Sequence, residues 1–469
     1  MNNTRKDAIL QTISPVDGTI YVERPLATDS HIETTLAKAK KATKIWKETS
    51  IAERAAICKK ALQYFETNRA IIAKDISWQM GRPIKYSGGE VNGVLERGRH
   101  MIQIAEEALQ DIVPTPKEGF RRFIRKEPIG IVFTVAPWNY PLLTTVNSLI
   151  PALMAGNVVI LKPSAQTPLC GEHFIKAFEL AGLPKGVLQL LFLSHAATAK
   201  LIKGSNIDLT CFTGSVEAGR IIENAAAGTF SAVALELGGK DPAYVREDAD
   251  ISYAVEQLVD GAFFNSGQSC CGIERIYVAE KHCKNFVEEY VELVKQYHLG
   301  NPLQEDITLG PVVKTSAAQW VRQQIKEATN GGAIACIPAK HFELAQEQTP
   351  YLAPQVLIGV NHNMSVMREE SFGPIVGIMP VKNDAEAIQL MNDSDLGLTA
   401  SIWTKDHLKA ELIGNQIETG TVYMNRCDYL DPALVWTGVK NTGRGGSLSI
   451  LGYDQLTQAK SFHFRLPVA

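Results

Sequence analysis

From about Phe120 onward, short apolar runs alternate with longer stretches of helical period. Ile129–Ala136, Val158–Leu161, Val187–Leu193, Ile207–Phe212 and Ala232–Leu237 read as strands, being brief, β-branched and apolar on both faces. Leu142–Ala155, Thr167–Ala181 and Val216–Ala227 read as the helices between them. Gly156-Asn157 and Gly182 stand where a left-handed residue closes a helix. Strands buried on both faces and separated by helices predict a parallel sheet with helices on either side. Before Phe120 the period is mostly helical, over Glu33–Trp46, Ile51–Ala73 and Val91–Leu109. After Lys240 the alternation restarts with a strand at Arg275–Ala279, a helix at Lys281–His298 and a strand at Ile375–Pro380. The pattern predicts an α/β chain with two doubly wound parallel-sheet domains.

Composition narrows the partners. The chain has 469 residues, 45% hydrophobic and 21% charged, with a net charge of -3. That length exceeds one hydrophobic core, and the charge provides no basic field for nucleic acid or an anionic membrane. The short basic cluster Arg121, Arg122, Arg125 and Lys126 reads as a solvated face. The N-terminal residues MNNTRKDAIL lack the apolar core of a secretory signal, and no apolar run reaches the roughly 20 residues needed to span a bilayer. Eight cysteines without a C-x-x-C pair read as reduced thiols, so a cytoplasmic location is expected. No His or Cys spacing suggests a metal.

In parallel sheets ligands gather beyond the carboxyl ends of the strands. Three polar motifs fall there: Pro137-Trp-Asn-Tyr-Pro141, Lys162-Pro-Ser164 and Thr213-Gly-Ser215. Cys270 follows a helix broken at Ser266-Gly267, so its thiol lies in a loop a substrate can reach; only the thiolate is a good nucleophile. Cys271, next in the chain, is expected to point elsewhere and be structural. Glu236 ends an apolar strand before two glycines and can serve as a general base if burial raises its pKa. Asn139 sits in a loop stiffened by two prolines, where its amide can stabilise an oxyanion. Phe212-Thr-Gly-Ser-Val-Glu-Ala-Gly219 makes a strand, a glycine turn and a helix start suited to phosphate. It matches neither a P-loop nor G-x-G-x-x-G. Taken singly each residue has an ordinary structural use: a buried thiol, a strand-end carboxylate, a turn Asn, a solvated Lys.

Together these motifs resemble the aldehyde dehydrogenase superfamily. The likeness runs from roughly Ile13 to Lys460 and includes Glu370-Ser-Phe-Gly-Pro374 and Gly438-Val-Lys-Asn-Thr-Gly-Arg-Gly445. The resemblance implies Cys270 as nucleophile, Glu236 as base, and Asn139 with the Cys270 backbone N–H as oxyanion site. It implies a cofactor cleft lined by Trp138, Lys162, Ser164, Ala165, Gly214, Ser215, Gly219, Glu370 and Phe372. It further implies a cofactor domain (1–111 and 131–237), a catalytic domain (238–440), and an oligomerisation arm with the C-terminal segment (112–130 and 441–469). A homodimer or homotetramer is the expected assembly, and a small aldehyde the expected substrate.

Some positions depart from the family pattern. Many NAD-preferring members carry a glutamate three residues past Lys162; here it is Ala165, which removes a carboxylate that would repel a 2′-phosphate. NAD and NADP both stay open, with a slight lean to NAD. Tyr140, Asn147 and Arg426 are the candidate substrate-facing residues. Asn147 stands near a place where many members have a large aromatic wall. Arg426 can meet a substrate carboxylate, as in a semialdehyde, or pair with Asp428. An esterase activity of the same cysteine is a further alternative, while Glu236 argues against acyl transfer to coenzyme A.

Overall fold

A computed structural model describes residues 9–467; residues 1–8 and 468–469, at the outer ends of the expected cofactor domain and C-terminal segment, lie outside it. The two alternations in the sequence become two sheets. In the first, Ala232–Glu236, Leu209–Thr213, Ile131–Val135, Val158–Lys162 and Leu188–Leu190 run parallel in that spatial order. The chain starts in the middle of this sheet, winds to one edge and returns to the other, the doubly wound path expected. In the second, Gln355–Ile358, Ile375–Val381, Ile273–Ala279, Asp241–Val245, Thr399–Trp403 and Thr421–Met424 are parallel. Each sheet also carries one antiparallel edge strand, Gly443–Arg444 and Ile334–Ala335 respectively, so both are mixed at the rim.

The central strands are continuous apolar runs because both faces are buried. Ile131–Val135 and Val158–Lys162 are covered along their whole length. In the second sheet successive residues face opposite cores: Tyr244 and Ile402 point to one, Val245 and Trp403 to the other.

Helix ends follow local chemistry. Ser50 caps Ile51–Thr67 with a capping box closed by Glu53. Gly182, in the left-handed region, ends Pro168–Ala181. The helical stretch expected over 51–73 is two helices, Ile51–Thr67 and Arg69–Met80, divided at Asn68. Both bury one apolar face, so the hydrophobic period runs through the break. A hairpin of Ile9–Ile13 and Ile20–Pro25 precedes the helices, in a region that reads as mostly helical from sequence. Phe120–Pro128 pairs antiparallel with Thr457–Arg465 as a two-stranded arm, with Phe123 stacked on Phe462 at 4.5 Å.

Candidate active site

The helix Ile251–Phe263 ends in a tight segment where Asn265, Ser266 and Gly267 all have positive φ. For Asn and Ser this costs about 1–3 kcal/mol each and persists only where the surroundings fix it. They do so here. Arg82 Nε donates to Asn265 Oδ1 at 3.0 Å, Ser266 Oγ to the Gly310 carbonyl at 2.8 Å, and the Val313 N–H to Gln268 Oε1 at 2.7 Å. Gly267 has no room for a side chain, since a Cβ would lie 2.2 Å from the Gly373 carbonyl oxygen. This turn carries Cys270 to the wall of a cavity of about 390 Å³.

Glu236 lines the same cavity, and Gly239 explains how it comes so near. A Cβ on Gly239 would sit 2.1 Å from the Cys270 carbonyl oxygen, so only glycine lets the Glu236 loop pack against the cysteine backbone. Burial raises the Glu236 carboxyl above its ordinary range, opposed by hydrogen bonds from Ser447 (2.6 Å) and Thr213 (3.3 Å) and by the Arg97 guanidinium. Asn139 is buried behind the wall, and its side-chain N–H₂ donates to the Gln268 carbonyl at 3.2 Å. Its own carbonyl accepts from Arg82. Arg82 is paired with Glu90, whose other oxygen accepts from the Leu142 and Leu143 N–H groups at the start of the helix Pro141–Met154. Arg82 and Glu90 thus hold the Pro137–Pro141 loop, a role with no local mark in the sequence.

Cys271 does not point away from this site. Its thiol also borders the cavity and donates to Asp428 Oδ1 at 2.9 Å, while Ser269 Oγ donates to the same oxygen at 3.1 Å. Burial pushes the Asp428 carboxyl up to about 6, and a hydrogen bond with Cys270, followed by burial, raises the Cys271 thiol well above its usual value. Tyr140 and Asn147 line the cavity; Tyr140 lies under the Arg82 guanidinium at 4.5 Å. Arg426 is not among the lining residues. Its guanidinium stacks on the Tyr429 ring at 3.6 Å, and it makes no ion pair with Asp428. Tyr429, itself a lining residue anchored on Glu96 at 2.7 Å, offers Arg426 a π face. The sequence reading missed Arg97. It is 7% exposed, lines the cavity, and gives hydrogen bonds from one nitrogen, Nη1, to the Leu143 carbonyl and Asn147 Oδ1, both at 3.2 Å.

The remaining expected residues gather at the carboxyl ends of the first sheet and in the facing loop. Lys162 ends its strand 8% exposed, and burial lowers its amine to about 8. Among the described residues that amine has no carboxylate within 4.0 Å. Ser215 caps Val216–Ala226, and Gly219 lets that helix lie against Leu237. Gly214 bonds to the Glu236 carbonyl at 3.1 Å. Ser164 Oγ closes a turn onto the Gln166 N–H, and Ala165 is exposed beside it. Glu370, pushed up to about 8 by burial, accepts from the Gly239 N–H at 3.0 Å, and Phe372 meets Trp138 edge-on at 5.5 Å. A buried unpaired amine, a capped helix N-terminus and two aromatic edges fit a dinucleotide. Among the described residues no cluster could hold a metal ion, and no helix is long and apolar enough to cross a membrane.

The family model described as "Aldehyde dehydrogenase family" matches residues 2–462. The chain is 32% identical over 456 residues to an aldehyde dehydrogenase of Paenarthrobacter nicotinovorans, covering 96% of this chain and 99% of that one. It superposes with a TM-score of 0.92 and 31% identity on the NADP-dependent glyceraldehyde-3-phosphate dehydrogenase of Bacillus halodurans C-125 in complex with NADP, covering 99% and 97% of the two chains. The NAD⁺ complex of an aldehyde dehydrogenase from Bacillus cereus gives 0.93 and 28%, covering 98% and 94%. The chain belongs to the aldehyde dehydrogenase family, enzymes that oxidise aldehydes with NAD(P).

Proposed function

We propose that this enzyme oxidises an aldehyde to a carboxylic acid through covalent intermediates on Cys270. The observation that carries the reading is the convergence of Cys270 and Glu236 on one cavity, with the Asn139 amide bonded to the loop that holds the sulfur. An aldehyde carbonyl gives up hydride poorly because no negative charge pushes it out. Addition of the Cys270 thiolate makes a tetrahedral alkoxide, which Asn139 and the Cys270 backbone N–H stabilise by hydrogen bonding. A bound NAD(P) would supply the hydride acceptor that lets the alkoxide collapse to a thioester on Cys270. Glu236 then swings from Ser447 and Thr213 to deprotonate a water, which hydrolyses the thioester and frees the thiol. Its raised pKa suits this, because a base poised nearer neutrality both accepts the proton and returns it.

Lys162, Ser164, Ser215 and Gly219 would hold the dinucleotide at the carboxyl ends of the first sheet, with Trp138, Glu370 and Phe372 lining the same cleft. We assign residues 1–111 and 131–237 to cofactor binding, 238–440 to catalysis, and 112–130 with 441–469 to assembly as a homodimer or homotetramer. The exposed Phe464 and Leu466 on the arm support that last assignment. Ala165 leaves a 2′-phosphate unopposed, so both NAD and NADP are accepted, with a slight lean to NAD. Cys270→Ala is expected to lower aldehyde oxidation at least about 10⁴-fold while cofactor binding persists. NAD(P)H absorbance and cofactor titration measure the two, and turnover at the normal rate would reject the assignment.

A further inference from the structure

Arg97 is the cation of the reaction cavity that lacks a counter-ion. It sits on the buried stripe of the helix Ile84–Ala108, among Val94, Leu95, Gly98 and Met101. A buried charge is ordinarily paired, since leaving it bare forfeits its hydration without return. Arg82, its neighbour in the same cavity, obeys that rule through Glu90. Arg97 does not: among the described residues no carboxylate lies within 4.0 Å of it. Its two protein bonds among the described residues both leave from Nη1 and end on neutral oxygens, and among those residues Nη2 and Nε have no protein acceptor. Most of the other charges around the cavity are already engaged. Asp428 accepts from Ser269 and Cys271, Glu96 from Tyr429, and Glu236 from Ser447 and Thr213. Asp260 lines the cavity from an exposed position. Asn147, whose Oδ1 accepts from Nη1, lines the cavity beside this guanidinium.

We propose that Arg97 is a specificity-determining residue that anchors a carboxylate at the far end of the substrate, making the preferred substrate an ω-oxo acid, a semialdehyde. The inference rests on the Cys270 reading above, which fixes where the aldehyde end goes. A carboxylate presents two oxygens to the two free guanidinium positions and supplies the missing counter-ion inside the cavity. A methyl-terminated aldehyde leaves both positions bare, and a cationic aldehyde meets a like charge. The carboxylates Glu96, Asp260 and Asp428 pull the other way, towards a cation, and the competing probes separate the two pulls.

The test compares kcat/KM for ω-oxo acids of three to six carbons with methyl-terminated aldehydes of equal length and with 4-(trimethylammonio)butanal. The wild-type enzyme is expected to favour the best oxo acid over its methyl analogue by about ten- to a hundredfold, the range of a charge-assisted hydrogen bond. In Arg97→Gln that ratio falls to about one, mainly through KM, and Arg97→Lys restores part of it. A wild-type ratio near one, or a preference for the ammonium compound, overturns the proposal even if no variant folds. An equal loss on both aldehyde classes in Arg97→Gln, seen in kcat with stoichiometric thioester, overturns it too and makes Arg97 a positioning residue for Glu236. If instead Cys270→Ala still oxidises the methyl-terminated aldehydes, the reading of the nucleophile fails independently of Arg97.

Discussion

Two buried regions of this molecule treat charge in opposite ways. Beneath the second sheet, Lys240 is paired with Glu274 and gives a further bond to Ser371 Oγ at 3.1 Å, while Glu274 also accepts from the Ser371 and Phe372 N–H groups. Arg275 beside them donates to the carbonyls of Lys240 and Met391. Every charge there is answered by the chain itself. In the cavity and the cofactor cleft, Arg97 and Lys162 have no carboxylate within 4.0 Å among the described residues, and Glu236 and Asp428 take their direct hydrogen bonds from hydroxyls and a thiol. The first arrangement holds loops; the second leaves bonding capacity for molecules that come and go. Arg275 has carbonyls for its N–H groups, whereas Arg97 bonds through Nη1 alone among the described residues, which is the capacity a ligand can complete.

Glu236→Gln should give the largest effect that sharpens this contrast. Deacylation is expected to slow by about 10²–10⁴-fold, leaving a stoichiometric burst of NAD(P)H followed by slow turnover. The steady-state rate of the native enzyme should fall as pH drops through a pKa above the ordinary value of about 4.3, because the base must be ionised. Ser447→Ala removes a bond that holds the carboxyl down, so this limb moves to higher pH. A burst-free Glu236→Gln enzyme, or a limb unmoved in Ser447→Ala, would count against the base.

Stability should separate the two regions next. Glu274→Gln strands a buried ammonium and is expected to cost about 3–5 kcal/mol in urea unfolding. Lys162→Met removes a charge the chain never paired, so it should leave stability unchanged or raised while weakening cofactor binding. Equal losses in both variants would erase the distinction. Ala165→Glu should shift the NAD-to-NADP ratio of kcat/KM by about tenfold towards NAD, by repelling a 2′-phosphate; an unchanged ratio would remove Ala165 from the cleft. The smallest effect concerns Asp428. Its carboxyl is raised to about 6 from an unfolded value of about 3.9, so the folded state holds the proton more tightly. The protein therefore loses stability as pH rises between those values, and Asp428→Asn should gain on the wild type over that window. Tm measured from pH 4 to 8 checks it, and a constant gap would contradict it.

The fold was legible where burial was two-sided. Ile131–Val135 and Val158–Lys162 announce themselves as unbroken apolar runs, and Gly182 marks its helix end. The hairpin Ile9–Ile13 and Ile20–Pro25 was not, because its short strands are largely exposed and mix charged with apolar residues. The site motifs were legible because their order along the chain matches one family. Arg97 left a fainter sign: an arginine on the stripe that buries Val91, Val94 and Met101. That stripe shows the residue is covered but not by what, since its surroundings come from Leu143 and Asn147 on another helix. Arg82 and Glu90 act on residues more than fifty positions away, and Asp428 meets Cys271 across 157, so no local pattern links them.

Two sulfurs border one cavity, and Cys270 alone is expected to carry the chemistry. Glu236→Gln enzyme incubated with aldehyde and NAD⁺, quenched in acid and digested, should carry the acyl mass on Cys270. The adduct should disappear in the Cys270→Ala background and survive in Cys271→Ala. An adduct on Cys271, or acid product formed with no adduct on either sulfur, would contradict the account.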